Sequence, residues 1–153
     1  MARRVVLDTG VLIAIERGRL DVDTVLGLDD AAIAAITAME LLVGVERADT
    51  AHRQARAVRV EAILSSLPVE PYNVGIARVH ARLAVAAMAA GRPRSANDMM
   101  IAATAAATSR ILLTTDITRA YVRAFFDQHL RGRPQALLDQ PSPRYPEVTF
   151  CSP

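Results

Sequence analysis

Three observations predict an α/β domain built on a mostly parallel sheet of four or five strands. Short aliphatic runs alternate with segments of helical spacing along the chain, which implies crossover connections and parallel pairing. Two of those runs, Val5-Val6-Leu7 and Ile111-Leu112-Leu113-Thr114-Thr115, end at Asp8 and Asp116, as buried strands with a carboxylate at the exit would. The helical segments are rich in alanine, with 28 in 153 residues, so small side chains on closely packed helices are expected to fill the interior and helix should exceed strand.

The elements follow in order. Val5 to Leu7 is the first strand, and Val11 to Arg17 continues with helical spacing to Gly18. Asp21 to Leu28 is a second helical stretch. Ala31 to Ile36 reads as a strand, although alanine is a poor strand former. Thr37 opens a helix through Leu41, Leu42, Val45 and Ala48, and Thr50 caps the next, which reaches Leu64, so the two form a helical pair. Leu67 to Tyr72 carries prolines at 68 and 71 and suits a short edge strand, because proline cannot donate to a central ladder. Asn73 caps a long helix to about Ala90, ended by Gly91. After the loop Arg92-Pro93-Arg94, Ser95 or Asn97 starts an alanine-rich helix toward Ser109, and the Ile111 strand follows. Thr118 to Leu130 has a helical apolar face of Tyr121, Val122, Phe125 and Phe126. Five of the eight prolines fall in residues 131–153, which predicts a loop-like tail with Val148 to Phe150 as a possible last strand. The division expected is a domain over 1–130 and a proline-rich tail over 131–153.

One domain of this length can bury a core without staples. No apolar segment approaches the roughly 18 residues a membrane helix needs, no signal-like stretch follows Arg3-Arg4, and Cys151 is the one cysteine, so a cytoplasmic protein without membrane attachment is expected. All 18 basic residues are arginine. Residues 1–70 hold 8 arginines against 11 acids, whereas residues 71–153 hold 10 against 5, so the second half is the better phosphate-facing surface. Arginines on helices also serve simply as solvated faces. His52, His80 and His129 fall in separate segments without ligand spacing, which argues against zinc.

Asp8, Glu40, Asp98 and Asp116 carry the chemistry. Taken singly, each has a structural role open to it. Thr37-x-x-Glu40 is a capping-box pattern, and Ser95-x-x-Asp98 nearly repeats it. Asp8 and Asp116 could be turn or cap residues. Together they border one sheet edge, where ligands bind in open α/β sheets. Two carboxylates ~5 Å apart repel by ~3 kcal/mol at an effective dielectric of ~20. A divalent cation removes that penalty, and magnesium and manganese prefer such oxygen donors.

The runs Val5-Val6-Leu7-Asp8-Thr9-Gly10-Val11-Leu12-Ile13, Thr37-Ala38-Met39-Glu40-Leu41-Leu42-Val43-Gly44-Val45, Ala96-Asn97-Asp98-Met99-Met100-Ile101-Ala102-Ala103 and Leu112-Leu113-Thr114-Thr115-Asp116 resemble, in order and spacing, the blocks of PIN-domain ribonucleases of the VapC toxin type. The resemblance spans about residues 3–116. It implies a PIN-like three-layer α/β/α domain in which Asp8, Glu40, Asp98 and Asp116 form an acidic catalytic site for Mg2+ or Mn2+. Thr9 and Asn97 would support it, and Thr114 or Thr115 would line the pocket. Past Asp116 the likeness fades: the Leu-Pro-Gly segment and last strand usual in that family are replaced by an aromatic stretch and a proline-rich tail.

The activity implied is metal-dependent hydrolysis of RNA phosphodiesters, with tRNA or rRNA as substrate. Asp8 and Asp98 are the leading ligands, and Arg92 and Arg94 either position the phosphate backbone or solvate the loop. Such toxins pair with a small antitoxin and form homodimers through helices; the apolar faces around Met39 to Val45 and Ile76 to Met88 could serve, or could be core. Competing readings fare worse. An aspartic protease also carries Asp-Thr-Gly, but its fold is almost all β. A phosphatase of the haloacid dehalogenase type wants a second aspartate where Gly10 stands. A catalytically inactive domain that only binds antitoxin or RNA is the alternative, against which stands the presence of all four acids.

Overall fold

The computed structural model describes residues 3–16, 30–91, 95–114, 124, 127–128 and 132–139. Among these, four parallel strands form one sheet: β1 (Arg4–Leu7), β2 (Asp30–Ala34), β3 (Val69–Glu70) and β4 (Ile111–Leu113), in the order β3-β2-β1-β4. Six helices accompany them: α1 (Thr9–Glu16), α2 (Ala35–Glu46), α3 (Thr50–Ser66), α4 (Val74–Ala89), α5 (Ala96–Ala107) and the single turn α6 (Ala136–Asp139).

Val5, Val6 and Leu7 are wholly buried in the central strand, each contributing roughly 1.5–3 kcal/mol of burial. Because successive side chains point to opposite faces, they feed two separate cores. Val6 joins Ala34 and Leu112 against Ile76, Leu83 and Ala87 of α4 and Met99, Ala102 and Ala103 of α5. Val5 and Leu7 join Ile33 against Val11 and Leu12 of α1, with Leu41 of α2 and Ile63 and Leu64 of α3. The result is the expected three layers. Helices α4 and α5 make the most extensive helix pair, since their alanines let the two backbones approach closely.

The parallel register sets the site. Leu7 lies between Ile33 and Leu113, so Asp8 leaves β1 beside Ala34 on one side and Thr114 on the other. The Asp8 amide donates to the Leu113 carbonyl at 3.2 Å, which holds the two strand exits together. At the other end, Arg4, Asp30 and Arg110 meet where β1, β2 and β4 begin. The buried Arg110 guanidinium donates to the Asp30 carbonyl at 2.7 Å, pairs with the Asp30 carboxylate at 3.2 Å and reaches Glu70 of β3 at 3.2 Å. Arg4 adds a second contact to Asp30 at 3.3 Å. That guanidinium, by its hydrogen bond first, holds the Asp30 carboxyl below the usual carboxylate range.

Local sequence logic holds at several places and yields at others. Asn73 caps α4, its side chain accepting from the Ile76 amide, and Gly91 closes that helix at a φ of +62°. β3 is indeed an edge strand between Pro68 and Pro71. α3, by contrast, is capped by Asp49 and not by Thr50: the Asp49 carboxylate accepts from both the amide and the ring of His52, which lowers its pKa. β2 stops at Ala34 and α2 begins at Ala35, two residues before the expected Thr37, so Ile36 is helical and packs on the α4–α5 core. α5 ends without glycine; Ser109 takes the left-handed conformation at φ 54° while the Arg110 amide donates back to Ala105. The tail is not all loop, because α6 forms where Leu138 can bury in the core. Of the Thr118 to Leu130 stretch, Ala124, Asp127 and Gln128 are described and helical, with Ala124 buried. The helix expected at Asp21 to Leu28 and the strand expected at Val148 to Phe150 lie outside the described residues.

Candidate active site

Three chain segments converge on Glu40. Its position one and a half turns into α2 places its carboxylate at the exit edge of the sheet, where Oε2 accepts from the Thr9 hydroxyl and Oε1 accepts from the Asn97 side-chain amide at 2.9 Å. Thr9 opens α1 immediately after Asp8, and Asn97 lies in the first turn of α5 immediately before Asp98. One carboxylate therefore ties together the neighbours of two others that are 90 positions apart in sequence.

Asp8 is 1% exposed. A carboxylate so buried needs compensation, and part of it is local: Asp8 precedes α1, its carbonyl receives the Val11 and Leu12 amides, and the helix N-terminus favours negative charge there. Its Oδ1 is a buried oxygen that receives no hydrogen bond among the described residues, although the residue interacts elsewhere. Asp98, half-buried, is the acidic residue in the first turn of α5 and gains from the same dipole. Thr114 is half-buried beside Asp8 in the next sheet row.

Neither capping box forms. α2 starts before Thr37, leaving Ala34 at the cap position with no side-chain bond, so Thr37 lies inside the helix and Glu40 faces Thr9 and Asn97 instead of reaching back. Ser95 makes no side-chain cap to α5. The structural roles that the sequence leaves open for Glu40 and for Ser95 are thus not the ones the fold uses. What pattern reading did not single out is Thr37 itself, which is wholly buried with an unpartnered hydroxyl. Its signal, a threonine three residues before the acid, was legible only as a cap.

Among the described residues no three His, Cys, Asp or Glu side chains stand together as a ready metal cage. Glu40 turns its two oxygens to Thr9 and Asn97. Asp116, Thr115, Arg92 and Arg94 lie outside the described residues. The remaining donors still fit a hard cation: Asp8 and Asp98 offer only oxygen, buried or half-buried, at one sheet edge. Magnesium is commonly held by one or two carboxylates with waters completing its shell.

The faces considered for assembly divide. Val45, Ile76, Leu83 and Ala87 are core, whereas Met39, Leu42 and Val43 of α2 and Val85 and Met88 of α4 are exposed. No helix among the described residues is long and apolar enough to cross a membrane.

Comparison with known proteins agrees with this geometry. The chain is similar to ribonuclease VapC5 of Mycobacterium tuberculosis, 36% identical over 111 residues that cover 72% of this chain and 82% of the relative. It is 27% identical to ribonuclease VapC1 of Rickettsia felis over 73% of this chain and 84% of that one. The solved VapBC-5 complex of M. tuberculosis, a member of the VapBC toxin–antitoxin family, superposes with a TM-score of 0.64 at 32% identity, covering 78% of this chain and 90% of the other. VapBC2 from R. felis, at 19% identity and a TM-score of 0.69 over 78% and 92% of the two chains, shares the fold. The family model for the PIN domain matches residues 5–123, and with it the strands, the helices and the Glu40 junction find one explanation: the chain belongs to the PIN-domain family, alongside the VapC proteins.

Proposed function

We infer that this protein is an endoribonuclease dependent on Mg2+ or Mn2+ and acts as the toxin of a toxin–antitoxin pair. The observation that carries the reading is the Glu40 junction, which draws the neighbours of Asp8 and Asp98 to one carboxylate at the exit edge of a parallel sheet. The VapC relatives named as ribonucleases support the hydrolytic reading, and the VapBC complexes support an antitoxin partner.

Asp8 and Asp98 would hold the cation, with Asp116 completing the set. The bound ion would supply a water of lowered pKa and neutralise charge on the leaving oxygen. Glu40 acts as a positioning residue: by accepting from Thr9 and Asn97 it fixes the start of α1 and of α5, and so the aim of the acids beside them. Thr114 lines the edge next to Asp8. Arg92 and Arg94 precede α5 and would hold the RNA backbone through its phosphates, which fixes position without reading bases. The exposed apolar residues of α2 and α4 offer contact surface for the antitoxin and a second copy of the chain.

Incubation of the purified protein with tRNA and rRNA fragments, in magnesium, in manganese and in chelator, tests the reading. Cleavage that needs the metal and disappears in Asp8→Asn is expected. Cleavage insensitive to chelator would remove the metal from the mechanism, and antitoxin binding with no cleavage of any fragment would leave the binding-only reading.

A further inference from the structure

The Thr37 hydroxyl is a buried polar group that the described fold does not use. Thr37 is 0% exposed, and its Oγ1 makes no hydrogen bond among the described residues. Threonines inside helices usually satisfy themselves by bonding to a carbonyl one turn earlier. Thr104 does so to Met100 and Thr108 to Thr104, both at 2.8 Å. Thr37, third residue of α2, has Ile33 of β2 and not a helical turn behind it and makes no such bond, and a valine of the same shape would fill its place without burying an unpaired oxygen.

Its position says what could use it. Thr37 lies three residues before Glu40 in α2, on the same helix face, and helical side chains lean toward the N-terminus. Thr37 therefore stands about one turn nearer the base of the helix than Glu40. That base is Ala34, which stands beside Asp8 because Leu7 and Ile33 are paired in the row before. Thr37 thus belongs to the first turn of α2, between the strand end beside Asp8 and the Glu40 turn along the chain.

We propose that Thr37 is a positioning residue of the cation site, its buried hydroxyl available to orient a water that a cation held by Asp8 and Asp98 would carry. The proposal rests on the metal-dependent reading above. A hard cation bound by few carboxylates keeps several waters, and those waters need partners on the protein. A buried hydroxyl, able both to donate and to accept, can orient one of them without adding charge.

The test reads Mn2+ binding by calorimetry and thermal melting in chelator, neither of which depends on turnover. Thr37→Val is expected to bind Mn2+ about tenfold more weakly, the lower end of what such supporting groups contribute, while melting in chelator at or above the wild-type temperature. Thr37→Ser, which keeps the hydroxyl, is expected to bind as wild type does. Wild-type affinity in Thr37→Val overturns the proposal, as does equal weakening in Thr37→Ser, which would assign the effect to packing. If Thr37→Val does not fold, Thr37→Ala against Thr37→Ser decides the matter, equal affinities again overturning it. A wild-type protein that binds no Mn2+ removes the metal reading and this role together, whereas binding that is indifferent to residue 37 removes this role alone.

Discussion

The Arg110 cluster at the strand starts and the Glu40 cluster at the strand exits both bury polar groups, but the two are satisfied to different degrees. Around Arg110 the guanidinium is engaged by the Asp30 carbonyl, the Asp30 carboxylate and Glu70, so three strands are tied by one side chain. Around Glu40 the central carboxylate is satisfied, yet Thr37 Oγ1 remains a buried oxygen without a hydrogen bond among the described residues. Folded proteins pair nearly all such groups, and an exception calls for a specific cause such as strain, an ordered water or ion, or a role in chemistry. The contrast is what the proposed nuclease reading expects of one cluster that holds the sheet and another that does chemistry.

The largest effect is expected at Asp8. Supporting groups around metals are worth ~10–100-fold, so Asp8→Asn, which would take away a proposed ligand, should lower cleavage by more than ~100-fold while the melting temperature stays level or rises as a buried carboxylate is neutralised. Unchanged cleavage would return Asp8 to a merely structural place at the start of α1 and collapse the contrast. Glu40→Gln comes next. The amide replaces an acceptor with a donor that faces the Thr9 hydroxyl or the Asn97 amide, and a loss of ~10–100-fold in kcat is expected from the misaligned starts of α1 and α5. If KM alone moved, Glu40 would be binding RNA instead of positioning the acids.

How far these roles can be read without coordinates differs between the clusters. Asp8 and its strand exit are visible because an aliphatic run ending in aspartate has a distinctive pattern, and the register that brings Asp8 beside Thr114 follows from parallel pairing. Thr9 and Asn97 are visible only through resemblance. The Glu40 junction is not: a capping box and a long-range carboxylate junction share the pattern Thr-x-x-Glu, and what separates them is whether the helix starts at Ala35 or at Thr37. A weak alanine-rich strand gave no firm boundary to decide that. The Arg110 tie was invisible for another reason, since an arginine among 18 shows nothing in sequence of the 80-residue separation it spans to Asp30. Asp49 outcompeting Thr50 for the α3 cap is a choice between adjacent good caps, settled by the additional contact to the His52 ring.

Arg110→Met sharpens the contrast from the opposite side. It keeps an apolar stem of similar length but removes the guanidinium from the Asp30 carbonyl and from Glu70, leaving the Asp30 carboxylate with Arg4 alone. A loss of ~2 kcal/mol is expected, below the range of about 3–5 kcal/mol for fully buried pairs because water can still reach Asp30 and Glu70. Cleavage per folded molecule should be unchanged at temperatures where the variant stays folded. A variant that melts like the wild type but cleaves poorly would reverse the two assignments.

The smallest expected effect is the acid dependence of that same tie. Arg110 holds the Asp30 carboxyl below its ordinary value of 3.8, so the folded chain binds the Asp30 proton less tightly than the unfolded chain does. Its contribution is complete above that ordinary value and disappears as pH falls through the lower folded one, where protonation becomes favourable in both states. Asp49, lowered by His52, acts in the same direction over the same acid window. Melting curves taken from pH 5 downward should therefore show wild type losing stability more steeply than Arg110→Met. The gap between the two curves should narrow as Asp30 is protonated, down to the offset left by the Asp30 carbonyl and Glu70 contacts. Parallel curves across the whole window would mean that the Arg110 tie acts through the neutral Asp30 carbonyl and Glu70 alone, and that the charge on Asp30 contributes nothing to holding β1, β2 and β4 together.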